Sequence, residues 1–76
     1  MDTPTRTPII VYYAREYGQH LVPLRAKTEA SAKREALKLL GGGFPGNTIY
    51  LEEDLGEGVR ISVAYCIIGT PGWDQL

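Results

Sequence analysis

Only one stretch of this 76-residue chain can form a substantial helix, and three consecutive glycines, Gly41-Gly42-Gly43, close it off. Thr28 is placed to cap the N-terminus, with Glu29 set against the positive end of the helix. Ala30 to Leu40 is rich in Ala, Leu, Lys, Arg and Glu, all strong helix formers. On a 3.6-residue period Ala32, Ala36, Leu39 and Leu40 share one face, with Leu37 beside them. Ser31, Arg34, Glu35 and Lys38 point the other way. The glycines then stop the helix.

The rest must fold as strands and turns. Ile9 to Tyr13 is β-branched and aromatic and reads as a strand. His20 to Ala26 reads as its hairpin partner, with Val22, Leu24 and Ala26 on one face. Pro23 lacks a backbone donor, which puts that second run at an edge or breaks its pairing. After the helix, Thr48 to Glu52 alternates with Ile49 and Leu51 inward. Leu55 to Gly58 is a turn. Val59 to Tyr65 then alternates again, with Val59, Ile61, Val63 and Tyr65 on one side. Cys66 to Ile68 extends that strand, and Gly69 to Gly72 turns the chain toward Trp73, which closes the core edge. The expected fold class is α+β: an antiparallel sheet of four to five strands in ββαββ order, with one helix packed on one face. The other face meets water or a partner.

A chain of this length holds one domain and buries about 60% of its unfolded surface. Residues 1–7, with one proline and three threonines, read as a loose start, and 8–76 as a single domain. The single cysteine, Cys66, rules out an internal disulfide framework. No apolar run approaches the length of a signal peptide or a spanning helix, so the expected location is the cytoplasm. A formal net charge of −1 gives no overall attraction to nucleic acid.

Several patterns imitate functional motifs. Gly41-x-Gly43-x-x-Gly46 has dinucleotide-binding spacing, but it follows a helix instead of opening one, so phosphates would meet carbonyl oxygens. His20 and Cys66 are the only residues of their types, and nothing in their spacing joins them as base and nucleophile. Cysteine and histidine are too few for a zinc site. Glu52-Glu53-Asp54 with Glu57 is an acidic cluster that reads as a solvated turn or a patch for a basic surface. No catalytic, cofactor or metal residue is expected. Two sets remain as candidate contacts: the basic helix residues Lys33, Arg34 and Lys38, and the strand tyrosines Tyr12 and Tyr13. Alternation sends those two tyrosines to opposite faces. On spacing alone the basic trio reads as a solvated helix surface and not as a site.

A longer pattern connects these residues. Ala26, then Ala32-Lys33-Arg34-x-Ala36-x-Lys38, then Phe44-x-Gly46 and Thr48, resembles a small phage-encoded type I anti-CRISPR family with a curled antiparallel sheet and one helix. The ending Ala64-Tyr65, Gly69 and Trp73 resembles it too, so the likeness runs from about Val22 to Trp73. It implies an inhibitor in the bacterial cytoplasm that binds Cas subunits of a type I surveillance complex (Cascade), foremost the repeated backbone subunit. Blocking access to the guide RNA prevents hybridisation of target DNA without any catalysis. The family's basic contact residues fall on Lys33, Arg34 and Lys38. Further basic residues that some members carry near the last hairpin are missing from Cys66 to Pro71, which leaves direct DNA adhesion without support. The alternative class is a small nucleic-acid-binding regulator that uses an aromatic sheet face.

Overall fold

A computed structural model describes residues 9–76, so the expected loose start at 1–7 lies outside the described residues. The fold is α+β, with strands β1 (Tyr12–Glu16) and β2 (Val22–Pro23), helix α1 (Glu29–Leu40), and strands β3 (Thr48–Gly56), β4 (Val59–Ile67) and β5 (Asp74–Gln75). All five strands form one antiparallel sheet in the order β2-β1-β3-β4-β5. The helix crosses from edge strand β2 to central strand β3 and packs over β1 and β3.

Alanines let the helix come close. Ala14, Ala32, Ala36 and Ala64 are all fully buried, together with Leu24, Ile49 and Leu51. Tyr12, Cys66 and Ile68 complete this core, and Val11, Ala26, Leu40, Val63 and Trp73 pack around it. Thr28 caps the helix as expected, its side chain accepting from the Ser31 N–H at 3.3 Å. The buried stripe is narrower than the sequence suggests. Leu39 and Leu37 are exposed, because contact is made through Ala32 and Ala36 and the flanking leucines fall outside it.

Two strands differ from their expected course. The first begins at Tyr12 instead of Ile9, because its partner β3 pairs Tyr12 with Glu53 and leaves Ile9 exposed. In β4 the inward residues are Ala64 and Cys66, followed by Ile68 just past its end, not the odd-numbered series. The cause is a β-bulge. Leu51 pairs with Ala64 but Glu52 pairs with Ser62, so Val63 is an extra residue and the alternation slips by one. Tyr65 therefore lies opposite Tyr50 on the uncovered face. A second shift, between Asp54 and Gly56, precedes the hairpin turn, where Glu57 and Gly58 have φ of 55° and 80°. Positive φ at both central residues is the type I′ turn that suits strand twist.

Candidate partner-binding surface

Lys33, Arg34 and Lys38 lie on one helix but in three different environments. The Lys33 Nζ sits 3.1 Å from Glu29 Oε2, one turn earlier, and donates to Gln75 Oε1 at 2.9 Å. It ties the helix to β5 and is half-buried. Arg34 is exposed, its guanidinium donating to Ser31 Oγ at 3.1 Å. Lys38 is exposed in the last turn, where a cation also suits the negative helix end. Among the described residues, neither Arg34 nor Lys38 has a carboxylate within ion-pairing distance.

The acidic residue that should dilute this charge is turned away. Glu35 does not point to solvent with Arg34 and Lys38, as helical periodicity suggests. Its carboxylate accepts from the backbone N–H of Ala26 at 2.9 Å and of Arg25 at 3.0 Å. Those two N–H groups belong to the connector beyond the short strand β2, which offers them no ladder partner. A carboxylate that accepts backbone N–H groups meets a need that water would otherwise have to meet. With Glu29 held by Lys33 and Glu35 held by the connector, the exposed charges here are cations: Arg25, Lys27, Arg34 and Lys38. Arg25 and Lys27 carried no signal in the sequence, because only the connector's course places them beside the helix.

Tyr12 and Tyr13 separate as alternation requires. Tyr12 is 7% exposed and belongs to the core, so it offers no contact surface. Burial raises its hydroxyl pKa above the ordinary value, and the nearby carboxylates of Glu53 and Glu29 add to the shift. Tyr13 lies on the uncovered face, which is a closed network rather than an open platform. Glu52 sits between two guanidiniums, 3.5 Å from Arg15 Nε and 3.5 Å from Arg60 Nε. Arg15 lies over the Tyr50 ring at 5.2 Å, and Arg60 over Tyr13 at 5.5 Å. Both rings are thus partly covered by the protein's own cations.

Compared with known proteins, the chain matches no family model, no curated protein and no solved structure.

The other motif-like patterns have structural roles. Gly43 belongs to the loop after the helix, where an added Cβ would fall 2.7 Å from Glu16 Oε1, and Glu16 also accepts from Asn47 Nδ2 at 2.8 Å. Burial raises the Cys66 thiol pKa, the opposite of what a thiolate nucleophile needs. His20 is exposed in the turn after β1. Among the described residues no group of three or more His, Cys, Asp or Glu side chains is placed to hold a metal ion. No described helix is long and apolar enough to cross a membrane.

Proposed function

We propose that the protein is a stoichiometric inhibitor that acts by contact: an anti-CRISPR that binds Cas subunits of a type I surveillance complex and blocks target DNA hybridisation. The observation that carries this reading is the helix surface, where Arg34 and Lys38 are left without carboxylate partners while Glu29 and Glu35 are engaged elsewhere. Uncompensated cations on a helix suit a protein surface that presents carboxylates, and such charges set both encounter rate and register. The reading also rests on the anti-CRISPR likeness of the sequence, which marks Arg34 and Lys38 among the contact positions. Lys33, held by Glu29 and Gln75, supports the helix from beneath and makes the smaller contribution to contact.

The test is to mix the purified protein with type I complexes of several subtypes and measure binding of target duplex. The wild-type chain abolishes duplex binding by at least one subtype. The double change Arg34→Ala, Lys38→Ala weakens inhibition about tenfold, or about 1.4 kcal/mol, whereas Lys33→Ala weakens it less. Undiminished duplex binding across all subtypes at excess inhibitor ends the proposal.

The nucleic-acid reading rests on Tyr13, Tyr50 and Tyr65 sharing the uncovered face with Arg15 and Arg60. Glu52 neutralises one of the two arginines, and both guanidiniums are laid on rings that would otherwise stack bases. A salt-sensitive gel shift of single-stranded DNA by the protein alone would favour it.

A further inference from the structure

The two flanks of helix α1 are fastened by different residues. On one flank Lys33 joins Glu29 to Gln75 of β5. On the other, the Glu35 carboxylate grips the connector, taking the Arg25 N–H on both oxygens at 3.0 Å and the Ala26 N–H at 2.9 Å. Successive helix residues turn by about 100°, so Ser31, Lys38 and Arg34 lie about 40°, 60° and 100° from Glu35 in one direction. Buried Ala32 and Ala36 lie in the other direction. Lys33 is about 160° away from Glu35, on the far flank. The connector that Glu35 grips therefore borders the face that carries Arg34 and Lys38, and Lys33 does not.

We propose, resting on the inhibitor reading above, that Arg25 takes the place of Lys33 as the third cation of the contact surface, and that Glu35 is the positioning residue that sets it there. Arg25 is exposed and, among the described residues, has no carboxylate within ion-pairing distance of its guanidinium. Lys27 is engaged differently, its Nζ donating to the Ile9 carbonyl. Charge selects the occupant. Arg25, Arg34 and Lys38 surround the neutral Ser31, and the carboxylate among them, Glu35, is filled by N–H groups. Such a surface receives carboxylates of a protein partner. Phosphates are the poorer match, because the chain's formal net charge of −1 gives no overall attraction to nucleic acid. Glu35 acts against its own sign: its charge repels an acidic partner, while its grip on the Arg25 backbone fixes a cation that attracts one.

The test titrates the full chain and its variants into the type I complex that the wild type inhibits and measures binding of target duplex. Arg25→Ala keeps both N–H groups that Glu35 holds, so the fold is retained, yet inhibition weakens about fivefold, more than in Lys33→Ala. Glu35→Ala also weakens inhibition, although removing a lone negative charge from a cationic surface would strengthen it. In a chain that already carries Arg25→Ala, Glu35→Ala brings no further loss, whereas a general loosening of the fold would weaken both backgrounds alike. A wild-type chain that inhibits no subtype ends the inhibitor reading and this assignment together. Where the wild type does inhibit, the assignment alone is overturned by an Arg25→Ala chain of full potency. Stronger inhibition by Glu35→Ala, or an equal loss in both backgrounds, overturns it as well. So does single-stranded DNA affinity of the protein alone that falls in parallel in Arg25→Ala, which would give the surface to phosphates.

Discussion

The covered and uncovered faces of this sheet use the same strands but hold together by different means. Beneath the helix, Ala14, Leu51, Ile49 and Ala64 meet Ala32 and Ala36, and cohesion comes from shape and from apolar area removed from water. On the far side, Tyr13, Arg15, Tyr50, Glu52 and Arg60 form a lattice of ion pairs and cation–π contacts, with the two arginine side chains 35% and 41% exposed. The first face holds few polar side-chain atoms: the Tyr12 hydroxyl and, at its margin, Trp73 Nε1, which is buried with no hydrogen-bond partner among the described residues. The second satisfies its own charges at the surface, where water and salt weaken each contact. An aromatic-rich face is therefore not by itself a binding platform, because its groups can be spent on one another.

The difference can be broken most forcefully from the covered side. Leu51→Ala empties a fully buried site between β1 and β4 and should cost about 2–5 kcal/mol in urea unfolding. A loss below 1 kcal/mol would mean that the helix settles into the space and the core is less tightly fitted than described.

Alkaline pH gives the next largest effect. The Tyr12 hydroxyl keeps its proton in the folded chain above the pH, about 10, at which an unfolded tyrosine loses it. Unfolding then releases a proton, so stability is intact below pH 10 and falls as pH rises toward the folded value. The urea midpoint should drop between pH 9 and pH 11 in the wild type and drop less in Tyr12→Phe. Equal drops would place the alkaline weakness elsewhere.

The smallest effect belongs to the uncovered side. Glu52→Gln removes the anion shared by Arg15 and Arg60, yet pairs this exposed are worth about 0.2–1 kcal/mol. The loss should shrink further in 1 M salt. A salt-independent loss as large as that of Leu51→Ala would erase the distinction between the faces.

Much of this architecture is legible in the sequence. Thr28, the Ala-rich run and the glycine triplet define the helix to within a residue, and the alternation of Ile49 with Leu51 gives the inward side of β3. What escapes is whatever depends on a partner distant in the chain. The parity of β4 cannot be read locally, since Val59, Ile61, Val63 and Tyr65 form a flawless alternating series until the bulge against Glu52 interrupts it. Glu35 escapes for a similar reason: its helical phase marks it as solvated, and only the unmatched N–H groups of Arg25 and Ala26 turn it inward. Of the candidate contacts, Arg34 and Lys38 keep an open surface, Lys33 is largely engaged, and Tyr12 is inside.

The tight Glu57–Gly58 turn also bears on the order in which the molecule assembles. It joins two strands that are neighbours in sequence, so their pairing closes almost no loop and carries little entropic penalty. The β1–β3 pairing must instead span β2, the connector and the helix. Strand β1 therefore meets β3 at a higher entropic cost than β4 does, and the β3–β4 hairpin is the scaffold onto which the earlier half of the chain is gathered.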